Sequence, residues 1–359
     1  MESEAKNLVI YITSIITSLT YSYYISSKIP KGIYRFLSLI PIFYLFTILP
    51  LGFSFVFTTA LSASFTTWLT NFKLIRFAFD LDPSPFHPSQ SLLQFITFTS
   101  LPIKLPDAIN PTTSHKNITT QSRQKQDTEN SETRHKDQLS ILKLIIHIAI
   151  FAILANIVLN YGDNFISIHY VLVIYCVMLY LIIDIISVSI SVLFFLLTGL
   201  ELEQPSNDPY FATSLQDFWA RWNLMVTNTL RHTIYKPVRI ALSGYKWAPL
   251  AGVVASFIVS GIMHELFLYQ LSREPPTWEM TMFFVLHGIC VVVEMVVKRM
   301  VNGGRRLPPV LGTVLTMGFV LATGFWLFFP PLIRSRVDVK IFQEYTSAVD
   351  FVKAKLFVF

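Results

Sequence analysis

The sequence predicts an all-α fold, a polytopic membrane bundle of about eight transmembrane helices with an amphipathic helix lying along its cytoplasmic interface. Three observations carry this. Of 359 residues, 53% are hydrophobic and only 14% are charged, against about a quarter charged in an ordinary globular domain. Apolar runs long enough to cross a bilayer recur along the chain. Lys and Arg gather in the loops between those runs, so the net charge of +6 reads as loop asymmetry and not as a nucleic-acid signature.

The first span is "NLVIYITSIITSLTYSYYI", too long for a signal-peptide core and without a small-residue cleavage pattern. Further spans are expected near 36–57, 58–72, 141–160, 167–198, 248–271, 281–297 and 310–331, the third of the eight short and the fifth overlong. "SLLQFITFTSLPI" at 91–103 is too short to cross and suits a re-entrant or interfacial piece. Pro41, Pro50, Pro330 and Pro331 fall within spans or at their ends, where they kink or stop helices. The basic clusters Lys28/Lys31/Arg35, Lys73/Arg76, Arg221 to Lys246, and Lys298 to Arg306 all land on one face if eight spans are counted, which makes that face cytoplasmic. Both termini then face the lumen, and the basic tail from Arg334 to Lys355 fits that poorly. Cys176 and Cys290 lie in apolar runs and suggest neither a disulfide framework nor a cysteine-based metal site.

Three regions follow: N-terminal membrane helices (1–109), a disordered polar linker (110–138) and a second set of membrane helices (139–359) that includes an interfacial segment at 210–247. The linker has almost no apolar residues and both signs of charge, too little to offset the entropy of ordering it. Its Asn117 stands in an N-x-T glycosylation pattern, which goes unused if the loop is cytoplasmic. The stretch 210–238 interleaves Phe218, Trp219, Trp222 and Tyr235 with basic residues, as expected of a helix at headgroup depth capped by Thr213 or Ser214. Its Arg231, Lys236 and Arg239 suit two ligands, anionic lipid heads or the phosphates of a soluble cosubstrate.

The ionisable residues inside spans are the chemical signal, because a charge at the bilayer centre costs at least about 2.5–3.5 kcal/mol. In "ASFIVSGIMHELFLYQL" His264 and Glu265 interrupt an apolar helix, with Ser260 one turn earlier and Gly261 allowing close approach. His287, Cys290 or Val291, and Glu294 share a stripe on the next span, and Asp184, Ser187 and Ser191 another. Each is compatible with a structural hydrogen bond between helices, and His264, Glu265 and Asp184 together with a carrier's proton relay. A neutral histidine in a membrane cavity is also suited to take a proton from an alcohol. Metal-ligand spacing and a nucleophile elbow are both missing from the sequence.

Two stretches, "SLQDFWARWNLMVTNTLRHTIYKPV" and "FIVSGIMHELFLYQLSREPPTWEMTMFFVLHG", resemble the plant wax synthase-like branch of the membrane-bound O-acyltransferase (MBOAT) superfamily. The similarity continues through "YSYYISSKIPKGIYRFLSLIPIF", "TWLTNFKLIRFAFD" and "WLFFPPLIRS". The resemblance implies a multi-pass protein of the endoplasmic reticulum that transfers an acyl group from acyl-CoA to a lipid alcohol, without a cofactor or nucleic-acid partner. It assigns His264 as catalytic base and Asn223 as the second active-site residue; Glu265, about 100° round the helix from its neighbour, is expected to act on its own surroundings and not on the imidazole. Arg231, Lys236 and Arg239 then become the CoA-phosphate contacts. A long-chain alcohol is the expected acceptor, with sterol or diacylglycerol as alternatives; the alternative to an acyltransferase is a catalytically impaired family member or a non-enzymatic membrane carrier. One departure stands out: the family pattern DFWGRRWN is here "DFWARWN", and a one-residue deletion in a helix turns everything beyond it by about 100°.

Overall fold

A computed structural model describes residues 2–81, 90–102, 142–160, 168–198, 206–301 and 308–356. The expected linker at 110–138, with Asn117, lies outside the described residues. Every long regular element among the described residues is helical. The chain divides into two compact units, one of Met1–Pro102 with Ser206–Phe359 and one of Ile103–Pro205.

The first unit opens with α1 (Glu2–Tyr24), α2 (Ile33–Ile48), α3 (Val56–Ala63) and α4 (Asn71–Phe79), the last two joined by a π-helical turn, π1 (Ser64–Thr70). Pro50 sits in the tight turn that closes α2, and α5 (Leu92–Ser100) starts from a capping box of Ser91 and Gln94. Polar contacts fix which ends lie together. Ser54, just before α3, donates its N–H to Glu4 at the start of α1, and Lys31, just before α2, pairs with Asp80 just after α4. The run from α3 to α4 therefore traverses the same depth as α2, antiparallel to it.

Across this unit α11 (Ala248–Ser272), α12 (Glu279–Met300) and α13 (Pro309–Thr323) run alternately, and α13 continues through π3 (Gly324–Phe328) into α14 (Phe329–Arg334). Pro330 and Pro331 have no N–H to give, so the helix re-forms its ladder around them. Arg273 at the end of α11 donates to Leu51 O and Phe53 O, which puts that end with the start of α3. Helix α15 (Val337–Leu356) docks at this same end, where Glu344 accepts the N–H groups of Val56 and Phe57 and so caps α3. Between α11 and α12 the backbones touch: a Cβ at Gly261 would lie 2.9 Å from Thr281 Cα. Small residues of this kind let membrane helices pack without a gap.

Among the described residues, seven helices are long and apolar enough to cross a membrane, at Ser3–Lys28, Ile33–Gly52, Leu142–Asn160, Tyr170–Leu196, Ala248–Ser272, Glu279–Met300 and Pro309–Arg334. The chain is a multi-pass membrane protein. The expected short third span, 58–72, is part of a longer run, α3–π1–α4, whose Thr66, Thr67, Thr70, Asn71 and Arg76 are buried against protein. Burial against protein lets a run of low hydropathy traverse the bundle. The single interfacial helix expected over 210–238 is corrected. It is a chain of short pieces, α8 (Leu215–Trp222), α9 (Leu224–Leu230), π2 (Arg231–Tyr235) and α10 (Lys236–Ala241). Ser214 caps α8 by accepting from Asp217 N.

The second unit contains α6 (Leu142–Asn160) and α7 (Ile168–Thr198). Asp184 is 3% exposed, with His147 Nδ1 at 2.8 Å and Lys143 Nζ at 4.0 Å from Oδ2. The polar intrusion on α7 is thus an interhelical pair, as a buried carboxylate requires. His147 was not singled out in the sequence.

Candidate active site

Helix α11 is 25 residues long, about 37 Å, and His264 stands about 12 Å before its end, well inside the apolar depth. The imidazole Nδ1 lies 2.7 Å from Ser260 O. A carbonyl can only accept, so Nδ1 carries the proton and Nε2 keeps its lone pair. No hydrogen-bond partner reaches Nε2 among the described residues. Three rings from three other elements surround the imidazole: Phe284 of α12 at 4.1 Å, Trp68 of π1 at 5.4 Å and Phe328 of π3 at 6.5 Å between centroids. His264 is nevertheless only half-buried. A basic nitrogen with no hydrogen-bond partner among the described residues is therefore held between aromatic walls. Two of the three walls come from π-helical turns, a geometry that recurs at functional sites.

Glu265 points elsewhere, as adjacent helical residues must. Its carboxylate accepts from Trp278 N at 2.6 Å, Thr281 N at 3.2 Å and Thr281 Oγ1 at 3.4 Å. These N–H groups belong to the start of α12, whose first turn has no intrahelical acceptors and carries the positive end of the helix dipole. Glu265 thus ties α12 to α11 beside the glycine contact and holds Phe284 over His264.

The stripe on α12 packs against α8. Trp219 Nε1 donates to His287 Nδ1 at 3.0 Å, and His287 Nε2 lies 2.8 Å from Thr323 Oγ1. An indole only donates, so Nδ1 is the acceptor, and the proton on Nε2 is donated to Thr323. The Thr323 hydroxyl in turn donates a hydrogen bond to Phe319 O. At the other end of α8, Glu294 accepts from Gln216 N and pairs with Lys298, which reaches Ser214 Oγ. Bonds at both ends of α8 seat it on the bundle. Trp219 also meets Phe257 and Phe284 edge-on or tilted, at 5.5 and 5.4 Å.

Asn223 separates α8 from α9. Its backbone is extended (φ −145°, ψ 99°) and its Oδ1 caps α9 by accepting from Val226 N at 3.1 Å. The break means that Trp219 and Asn223 ride on different helices, so the shortened "DFWARWN" does not impose a rigid 100° turn between them. Val226 packs in one cluster with Trp68, Phe72, Leu230, Met263 and Phe267, which brings α9 to the flank of His264. No hydrogen bond joins Asn223 to His264 among the described residues.

Arg231, Lys236 and Arg239 are exposed, at the end of the bundle where α11 begins. Gly252 on the first turns of α11 receives Tyr235 so closely that a Cβ would meet its ring at 2.7 Å. Lys236 Nζ lies 3.2 Å from His232 Nδ1; no ion pair holds Arg231 or Arg239 among the described residues. The sequence reading missed the rings of Trp68, Phe284 and Phe328, since aromatics are abundant throughout the spans and no spacing marks these three.

Residues 203–286 match the Membrane bound O-acyl transferase family. The chain is similar along its whole length to plant proteins with a shared name. It is 40% identical over 361 residues to the probable long-chain-alcohol O-fatty-acyltransferase 2 of Arabidopsis thaliana, covering 98% of each chain. It is 39% identical over 364 residues to the long-chain-alcohol O-fatty-acyltransferase of Simmondsia chinensis, covering 99% of this chain and 98% of that one. With the probable long-chain-alcohol O-fatty-acyltransferase 9 of Arabidopsis thaliana the identity is 40% over 365 residues and 100% of both.

Proposed function

The chain belongs to the membrane bound O-acyl transferase family, and from that premise we propose that it is a long-chain-alcohol O-fatty-acyltransferase, a wax synthase, with His264 as its general base. The observation that carries this reading is the tautomer of His264. Its Nδ1–H is committed to Ser260 O and its Nε2 is free. The alcohol O–H donates to Nε2, and as the proton passes to the imidazole the alcohol oxygen attacks the thioester carbonyl. The tetrahedral oxyanion then collapses, the carbon–sulfur bond breaks, and the imidazolium returns its proton to the leaving thiolate, giving ester and free thiol. Asn223 orients a reactant or donates to the oxyanion through its amide.

Acyl-CoA is the donor in this reading, with its phosphates on Arg231, Lys236 and Arg239 and its acyl chain between the helices. Guanidinium groups suit phosphate oxygens through their bidentate geometry. The acceptor is a long primary alcohol, because a linear chain needs only a narrow apolar slot with one polar point, which the ring-walled surroundings of His264 match. The endoplasmic reticulum is the membrane assigned. Membranes containing the protein are expected to release CoA thiol only when palmitoyl-CoA and a saturated long-chain alcohol are both supplied. Offering the alcohol, a sterol and diacylglycerol in competition should give mainly wax ester. A product pool dominated by steryl ester or triacylglycerol would reject the acceptor, and thiol release without any alcohol would reject ester synthesis.

A further inference from the structure

Asn71 opens α4 directly after π1, three residues beyond Trp68. It is 9% exposed, and its Oδ1 is sealed from solvent without a hydrogen-bond partner among the described residues. Its neighbours are differently placed. Thr66 and Thr67 donate to Phe46 O at 3.2 and 3.0 Å, and Thr70 donates to Phe65 O at 2.7 Å. A buried acceptor with nothing to accept is a standing cost to the fold. Such a group is satisfied either by an ordered water or by a ligand that brings a donor.

Its position says which ligand. Trp68 lies edge-on to His264 and stacks on Phe72, and both rings pack with Val226, three residues after Asn223, and with Met263 beside His264. Asn71 lies between Trp68 and Phe72 in the chain, at the segment that packs between His264 and the helix that Asn223 caps. Helix α4 runs towards the end marked by Lys31 and Asp80, so Asn71 is about 4–5 Å nearer that end than Trp68. Arg231, Lys236 and Arg239 are at the same end. An amide oxygen needs an N–H or O–H donor. The acceptor alcohol has one such proton, which goes to His264 Nε2, and the thioester group itself has none. The pantetheine arm of CoA does have one: its first amide N–H lies one ethylene unit from the sulfur, on the path from the thioester to the phosphates.

We propose that Asn71 binds the acyl donor by accepting a hydrogen bond from the pantetheine amide nearest the thioester sulfur. This rests on the acyl-CoA reading above and makes Asn71 a donor-specificity residue for that reaction. The test uses the purified full chain in lipid nanodiscs with palmitoyl-CoA and hexadecanol, comparing the parent with Asn71→Leu and Asn71→Ala. Both variants are expected to raise KM for palmitoyl-CoA about tenfold, the loss of one well-made hydrogen bond to substrate, and to raise the inhibition constant of free CoA by the same factor. KM for hexadecanol should not move. Asn71→Leu should melt no lower than the parent, because it removes an unsatisfied buried group. Unchanged constants for palmitoyl-CoA and CoA, or a fall in kcat alone that follows a fall in melting temperature, would overturn the proposal. A parent that makes no ester from these substrates would instead overturn the acyltransferase reading itself.

Discussion

Replacing His287 with leucine should destabilise the protein by about 1–3 kcal/mol, the cost of stranding one buried donor, and the further change Trp219→Phe should restore part of that loss. His287 is 0% exposed and joins α8, α12 and α13 through Trp219 at 3.0 Å and Thr323 at 2.8 Å. Removing the imidazole leaves the Trp219 indole N–H with no acceptor. Thr323 is not stranded, since its hydroxyl already donates to Phe319 O at 2.7 Å. Trp219→Phe alone strands His287 Nδ1 and also loses ring contacts with Phe257 and Phe284. In the double variant no polar atom of the pair remains to be satisfied, so the two single losses should exceed the combined loss by about 1–2 kcal/mol. The measurement is the unfolding midpoint of the detergent-solubilised protein, followed by loss of the monodisperse chromatographic peak on heating. Losses that add to within about 0.5 kcal/mol, as independent sites do, would refute the bond and the tautomer assigned to His287.

Other perturbations have equally specific outcomes. Glu265→Ala should cost about 1.5–3 kcal/mol by removing a charged acceptor from the start of α12, while Glu265→Gln, which keeps one acceptor oxygen, should cost clearly less; equal midpoints for the two variants would count against the capping role. Gly261→Ala places a methyl 2.9 Å from Thr281 Cα, where the obstacle is backbone and cannot swing aside, so a loss of about 1–3 kcal/mol is expected, with ester synthesis falling as Phe284 moves off His264. Replacing Arg231, Lys236 and Arg239 together by Gln should raise KM for acyl-CoA more than KM for the alcohol, and added salt should act in the same direction on the parent. Equal effects on both substrates would point to lipid headgroups as their partners.

Most span positions were legible because lipid demands uninterrupted apolar helix: 248–271 became Ala248–Ser272, and the overlong 167–198 became Ile168–Thr198. The α3–π1–α4 run was read as too short because its traverse is completed by polar residues that protein, not lipid, surrounds. Asn223 illustrates a different loss. Its residue type suits a helix N-cap, yet the aromatic and basic pattern of 210–238 continues on both sides and reads as one helix. His264 stood out as a candidate because an ionisable residue in an apolar helix needs an explanation. What surrounds it did not, since its walls come from positions far apart in the chain. His287 meets an indole 68 residues earlier, and Gln270 on α11 donates to Thr47 O and Thr67 Oγ1, more than 200 residues back. π-helical turns leave no periodic signature in the sequence, and Asn71 became notable only once its lack of a partner was visible.

That His264 is the base of an acyl transfer is tested most directly by His264→Ala in proteoliposomes supplied with palmitoyl-CoA and hexadecanol, with wax ester read by mass and the unfolding midpoint recorded alongside. General-base catalysis contributes about 10²–10⁴-fold. Ester formation should fall by at least about a hundredfold while the midpoint stays close to the parent's, because the one hydrogen bond of the His264 imidazole among the described residues is to a carbonyl of its own helix. A variant that folds normally and makes ester at near the parental rate would contradict it.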